Sequence, residues 1–168
     1  MIRKTIHCLR FLPLRYTEVV GMTTETITHS AEETIAYGRR LAPELFPPFM
    51  VSPLMVLLRG DLGAGKTTLV KGIAEGFEAA RAEDVTSPTF TLIHEYRGPQ
   101  ATLYHIDLYR IDTERELETL GLDDLLAPNC ILLIEWGEKF PRLRRDQNVE
   151  IILEQVGETE RRIQRITR

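Results

Sequence analysis

Three short, mostly apolar segments recur along the chain and alternate with stretches of helical spacing. The segments are Leu54 to Leu58, Thr102 to Ile106 and Cys130 to Ile134, and the first is an uninterrupted apolar run, as in a strand buried on both faces. Helical spacing of three and four follows the first segment, at Leu69, Val70, Ile73, Ala74 and Phe77. Strands that alternate with helices predict an α/β domain with a mostly parallel central sheet flanked by helices.

Two further helices are predicted from their start signals. Residues 30–33 and 113–116 each have the form of a capping box, in which Ser or Thr is followed three residues later by Glu. Three prolines, at positions 43, 47 and 48, are expected to end the first helix and form a loop, because proline interrupts helical hydrogen bonding. The second is short, and Gly121 is placed to close it.

Strands are also predicted near both ends of the domain. Thr24 to Thr28 is rich in β-branched residues, which is typical of an edge strand. Val149 to Leu153 and Arg161 to Ile166 flank a turn at Gly157 and Glu158. This pattern predicts an antiparallel hairpin at the sheet edge near the C-terminus.

The composition adds a size and a charge to this picture. The chain has 168 residues, 43% of them hydrophobic, which fits one domain with a buried core and excludes a disordered or fibrous class. Its net charge is −4, but residues 1–21 hold four basic groups and one acidic group, so this segment is +3 and residues 22–168 are −7. We therefore interpret 22–168 as a single acidic domain that does not bind nucleic acid directly.

The segment 1–21 is interpreted as a basic N-terminal extension, either a disordered tail or the product of a misassigned start at Met1 instead of Met22. An organelle transit peptide is the alternative. Cys8 and Cys130 are too far apart in sequence for a disulfide framework or a metal knuckle, so a reducing, cytoplasmic compartment is expected. No apolar run approaches the roughly 20 residues of a membrane span, so no membrane association is expected.

The strongest chemical signal is the segment Gly60 to Thr67, which matches G-x-x-x-x-G-K-[ST] between the first buried strand and the following helix. Glycines allow positive φ, so that backbone N–H groups turn toward phosphate, and the helix N-terminus adds partial positive charge. Lys66 is then expected to reach the β and γ phosphates, and the Thr67 hydroxyl to ligate Mg²⁺. The motif and its context predict nucleotide binding.

Two carboxylates end the later strands, and either one is suited to the metal or to the attacking water. Asp107 and Glu135 follow the second and third segments, and carboxyl ends of parallel strands meet at one sheet edge. Spacing alone leaves their two roles open. The segment from Val85 to Thr91 is either a switch loop that senses phosphate or an ordinary loop. Structural roles are expected for His94 and His105. The cluster Arg142, Arg144 and Arg145 is either a solvated surface or a contact for phosphate or a partner, and it is the only hint of an Arg-bearing lid.

Five motifs together resemble the TsaE family, the small bacterial ATPase required for threonylcarbamoyladenosine modification of tRNA. They are G-D-L-G-A-G-K-T-T at 60–68, S-P-T-F-T-L at 87–92, Y-H-I-D-L-Y-R at 104–110, E-L-E-T-L-G-L at 116–122 and I-E-W at 134–136. Their order and spacing are those of the family, over roughly residues 24 to 155. The resemblance implies a P-loop ATPase that binds ATP and Mg²⁺ and acts with the TsaB–TsaD transferase pair.

The resemblance also implies roles for individual residues. Thr67 and Glu135 would contact Mg²⁺, Asp107 would act with Lys66 in hydrolysis, and Trp136 would lie beside the nucleotide. A small-molecule kinase of the same fold is the alternative, and it would need an acceptor pocket and an Arg-bearing lid. A GTP switch is disfavoured because no N-K-x-D motif is present. The phosphate cradle would consist of Asp61, Leu62, Gly63, Ala64, Gly65, Lys66, Thr67 and Thr68.

Overall fold

The computed structural model describes residues 22–45, 52–144 and 149–167. The interpretation of residues 1–21 as an extension, with Cys8, lies outside these ranges, as do the prolines at 47 and 48 and Arg145. Within them, no helix has the length and apolar content that crossing a bilayer requires.

One seven-stranded sheet forms the centre of the fold. Its strands are β1 (Met22–Thr28), β2 (Leu54–Arg59), β3 (Ile93–Arg97), β4 (Thr102–Asp107), β5 (Cys130–Glu135), β6 (Val149–Gln155) and β7 (Arg161–Thr167). Their order across the sheet is β1-β7-β6-β2-β5-β4-β3. The helices are α1 (Ala31–Leu45), α2 (Lys66–Gly76) and α3 (Glu114–Thr119).

The sheet is less parallel than the sequence predicts. Strands β6, β2, β5 and β4 run parallel in the centre, whereas β1 with β7, β7 with β6, and β3 with β4 pair antiparallel. The predicted parallel sheet therefore describes the four central strands, and antiparallel pairs flank them on both sides. β3 is absent from the predicted elements because none of its residues is buried and its sequence is largely polar.

The C-terminal hairpin is present, but its predicted position at the edge is wrong. β6 and β7 pair antiparallel, and β6 also pairs with β2 while β7 pairs with β1. The edge on this side is β1, the strand for which the threonine-rich sequence predicts that position. β1 pairs with β7 along its whole length and so occupies the outer side of the hairpin.

The predicted helix starts are present in α1 and α3. Ser30 Oγ accepts a hydrogen bond from the Glu33 N–H at 3.2 Å, and the Glu33 carboxylate accepts one from the His29 N–H at 2.8 Å. Thr113 and Glu116 form a complete capping box before α3. α1 ends at Leu45, among the three prolines predicted to end it, but Pro43 lies inside the helix and not in the predicted loop. Proline removes one backbone donor, but the buried side chains around it keep this turn packed.

Two hydrophobic cores lie on opposite faces of the sheet. On one face, alternate residues of β2 pack beneath α1 and α2, and on the other face Met55 and Leu57 pack toward α3. Glycines bring α1 and α2 into backbone contact. A Cβ on Gly72 would lie 2.0 Å from the Ile35 carbonyl oxygen, and one on Gly38 would lie 2.6 Å from that of Leu69. The position of α2, and with it the glycine-rich loop, depends on this close helix pair.

Replacing Gly72 with Ala is expected to lower the free energy of unfolding by about 1–3 kcal/mol, because the new methyl group meets backbone atoms that cannot move aside. A loss of stability would indicate the close contact, since in an unhindered helix the same change would stabilise the protein by about 1 kcal/mol. Urea denaturation measures the change, with Lys71→Ala on the same helix as the control. A Gly72→Ala protein as stable as the wild type would contradict the close contact.

Candidate functional site

The glycine-rich loop connects the end of β2 directly to the start of α2. Gly60, Gly63 and Gly65 have φ values of 138°, 82° and 100°, which side-chain-bearing residues rarely adopt. Gly60 is further required by close packing, because a Cβ there would lie 2.2 Å from the Leu153 carbonyl oxygen of β6. Gly65 is the residue that precedes the first turn of α2. The loop therefore turns its backbone through three glycines, as an anion cradle at a helix N-terminus does.

Lys66 is a buried cation at the start of α2. The residue is only 4% exposed. Its Nζ donates hydrogen bonds to the carbonyl oxygens of Gly60 at 2.7 Å and Asp61 at 3.0 Å. Nζ also lies 4.2 Å from the centre of the Trp136 ring, within the range of a cation–π contact. None of the ion pairs in the described part of the chain involves Lys66.

The environment of Lys66 disfavours its charged form. Burial lowers the pKa of the ammonium group below its ordinary value, and the carboxylates of Glu135, Glu138, Asp107 and Asp61 partly oppose this shift through their negative charge. A buried cation without a paired anion is costly, so an anionic ligand in the loop would stabilise the charge.

Glu135 lies at the end of β5, buried at 4% exposure, and contacts two neighbouring elements. Its Oε1 accepts a hydrogen bond from the Thr67 hydroxyl at 2.8 Å, and the same oxygen lies 2.9 Å from His105 Nε2 on β4. Because the Thr67 hydroxyl donates its proton to Glu135, its lone pairs are available to a cation. The Thr67 hydroxyl and the Glu135 carboxylate therefore place two oxygen ligands beside the glycine-rich loop.

Asp107 ends β4 directly beside Glu135, its register partner in the parallel pair. Its Oδ2 accepts hydrogen bonds from the hydroxyls of Ser87 at 3.1 Å and Thr89 at 2.5 Å, and its Oδ1 accepts one from the Tyr109 N–H at 2.9 Å. The structure thus connects the segment 85–91 to this carboxylate. Both predicted acids emerge at the same sheet edge as the glycine-rich loop.

Trp136 follows Glu135 in the left-handed backbone conformation, with φ of 63°. This conformation is uncommon for a bulky side chain and is typical of functional sites. The indole ring lies 5.2 Å from the Tyr109 ring, and its face carries the Lys66 ammonium. The two rings form an aromatic wall next to the loop.

These side chains border one cavity of about 420 Å³. Of the predicted site residues, Asp61 and Ala64 do not line it. Asp61 contributes its carbonyl oxygen to Lys66 instead, and Ala64 is buried in the core. The cavity is lined by Leu62, Gly63, Gly65, Lys66, Thr67, Thr68, Ser87, Thr89, Asp107, Tyr109, Glu135 and Trp136.

A second cavity, of about 210 Å³, lies on the other flank of the loop. Gly63, Gly65 and Thr68 border both cavities, so the loop forms the partition between them. Arg161, the first residue of β7, lines the second cavity and donates a hydrogen bond to the Gly63 carbonyl oxygen at 3.3 Å. The hairpin of β6 and β7 therefore contacts the loop directly.

The structure gives specific contacts to side chains for which the sequence predicts only structural or surface roles, or no role. His105, expected to be structural, contacts Glu135, and the period-two spacing of His105 and Asp107 in the strand is the signal that places both on one face. Arg161 and Tyr109 were not predicted, and no local pattern marks them. His94 bonds Thr91 and Tyr96 away from the cavity. Arg142 pairs with Glu114 and Glu118 of α3.

The residues present fit a Mg²⁺ ion. In the described ranges no group of three or more His, Cys, Asp or Glu residues is arranged to hold a metal by itself. The donor set is a hydroxyl and a carboxylate, which suits Mg²⁺ because this ion takes oxygen ligands and usually completes its shell with water and substrate phosphates.

The fold and the site define a class: a mixed α/β protein with a glycine-rich strand-to-helix loop that faces two carboxylates on adjacent strand ends. The family model that matches the chain is that of the threonylcarbamoyl adenosine biosynthesis protein TsaE, over residues 28–163. The chain belongs to the TsaE family.

Relatives support this assignment. The chain is 39% identical over 136 residues to the tRNA threonylcarbamoyladenosine biosynthesis protein TsaE of Bacillus subtilis, covering 81% of this chain and 80% of that protein. It is 42% identical over 105 residues to the protein of the same name from Haemophilus influenzae, covering 62% of this chain and 65% of the relative. The crystal structure of YdiB from Bacillus subtilis is similar, with a TM-score of 0.66 and 32% identity over 88% of this chain and 86% of that chain.

Proposed function

We propose that the protein is a Mg²⁺-dependent ATPase of the P-loop class. The observation that carries this proposal is the buried ammonium of Lys66, which projects into a glycine-rich loop and has no ion-pair partner in the described part of the chain. A triphosphate supplies the missing negative charge, and the loop N–H groups together with the start of α2 supply the donors that bind it.

In this proposal each residue of the site has a separate role. Lys66 exchanges its two carbonyl contacts for phosphate oxygens, and the Thr67 hydroxyl and Glu135 hold the cation. Mg²⁺, when bound, neutralises charge on the β and γ phosphates. Asp107 orients the attacking water, with its carboxylate already aligned by Ser87 and Thr89. Trp136 and Tyr109 border the nucleotide and limit the access of solvent.

The biological role proposed for this ATPase is in threonylcarbamoyladenosine modification of tRNA, in the cytoplasm and together with a TsaB–TsaD complex. Family membership and the relatives' names support the pathway. The net charge of −7 on residues 22–168 supports contact with tRNA through protein partners, because direct binding relies on basic surfaces. The kinase alternative would need an Arg-bearing lid, and Arg142 pairs instead with the carboxylates of α3.

Replacing Lys66 with Ala is expected to abolish ATP binding and hydrolysis, because it removes the charge that the loop directs at phosphate. Calorimetry with ATP and Mg²⁺ measures binding, and phosphate release measures turnover. Lys71→Ala is the matched control, a half-buried lysine of the same helix outside the cavity. Hydrolysis at the wild-type rate in Lys66→Ala would refute the proposed site.

The Asp107→Asn variant is expected to bind ATP nearly as tightly as the wild type and to hydrolyse it about 100-fold more slowly or worse, as for loss of a general base. Single-turnover measurements with saturating protein separate this step from binding. Asp84→Asn, an exposed change away from the cavity, is the control. Turnover that stays normal in Asp107→Asn would remove Asp107 from the mechanism.

Affinity capture with TsaB and TsaD tests the partner. We expect association that depends on ATP, weakened in Lys66→Ala, together with restored modified-nucleoside content when the wild-type gene is returned to a depletion strain. If the protein associates with TsaB and TsaD in no nucleotide state, and still consumes ATP only in the presence of a small-molecule acceptor, the kinase alternative is favoured instead.

A further inference from the structure

His105 is the only histidine in the described part of the chain that is completely buried, at 0% exposure on β4. Its Nε2 lies 2.9 Å from Glu135 Oε1, and its other ring nitrogen, Nδ1, is buried without a hydrogen-bond partner among the described residues. A histidine that served packing alone would not need its ring nitrogen directed at a carboxylate, and a buried polar atom without a partner carries a cost.

These contacts define the tautomer of the ring. The Glu135 carboxylate accepts hydrogen bonds, so the proton shared with it belongs on Nε2, whereas Nδ1 has no partner among the described residues that would accept a proton from it. Both hydrogen bonds, from His105 and from the Thr67 hydroxyl, converge on the same oxygen, Oε1. The second carboxylate oxygen takes neither of them.

We infer that His105 is a positioning residue that fixes the Glu135 carboxylate, and through it the Thr67 hydroxyl, in the orientation required to bind a divalent cation. This inference rests on the proposed Mg²⁺ site. His105 Nε2 approaches from inside the sheet and Thr67 from α2, so two bonds from different elements restrain one carboxylate. Partners behind a metal ligand of this kind contribute strongly to metal affinity.

The test compares how strongly Mg²⁺ improves ATP binding in three proteins. Calorimetry gives the dissociation constant for ATP with excess Mg²⁺ and again with EDTA, and the ratio of the two measures the metal's contribution. In His105→Asn this ratio is expected to fall about tenfold, while ATP binding in EDTA stays at the wild-type value. His105→Gln is expected to recover most of the ratio, because its amide nitrogen reaches the position of Nε2 and that of Asn does not.

The outcomes separate this inference from the proposed function. A wild-type protein whose ATP affinity does not respond to Mg²⁺ would overturn the proposed Mg²⁺ site itself. A normal wild-type response with an unchanged ratio in His105→Asn would overturn only the role of His105. Equal weakening in Mg²⁺ and in EDTA, or identical Asn and Gln variants, would show a merely structural residue and would also overturn it.

A spectroscopic measurement needs neither nucleotide nor a variant that folds. Long-range ¹H–¹⁵N correlation spectra of the wild-type protein distinguish the two neutral imidazole tautomers. The expected pattern for His105 is a protonated Nε2 with a bare Nδ1. The opposite tautomer would overturn the inference, since Nε2 would then not donate to Glu135.

Discussion

The burial of one positive charge organises the site. Lys66 carries an ammonium group that is removed from water and lies beside carbonyl oxygens and an indole face, with no ion-pair partner among the residues that the structure describes. Desolvation opposes its charge, and the carboxylates of Glu135, Glu138, Asp107 and Asp61 contribute negative potential that only partly compensates. The loop, the strand ends and α2 are therefore arranged around a charge whose natural complement is an anion.

The topology explains why so few elements suffice to build the site. β2 has parallel neighbours on both sides, β5 and β6, and β4 lies beyond β5. Carboxyl ends of parallel strands meet at one edge, so the loop after β2 faces Glu135 and Asp107 without any long excursion of the chain. The antiparallel pairs outside this centre leave that edge unchanged. Gly38 and Gly72 allow α1 to pack closely against α2, and this contact helps to fix the position of α2 and of the loop that precedes it.

The predictable part of the molecule is the part encoded by nearby residues. The run from Leu54 to Leu58, the glycine-rich loop and the spacing along α2 are local signals, and the two acids follow because each ends a strand. The sequence does not reveal β3, which buries no residue, or the extension of α1 through Pro43, where tertiary packing outweighs a local helix breaker. It also leaves His105 and Arg161 without roles, because their contacts join segments 30 and 98 residues apart.

The hydrogen bond from Arg161 to the Gly63 carbonyl oxygen also affects the order in which contacts can form while the chain is being synthesised. β2 is synthesised early, yet both of its sheet neighbours and the arginine that contacts its loop come later in the chain. A nascent chain that has not yet released β7 from the ribosome carries the complete glycine-rich motif without this contact. The surroundings of the glycine-rich loop are therefore complete only after β7 has emerged and paired with β6.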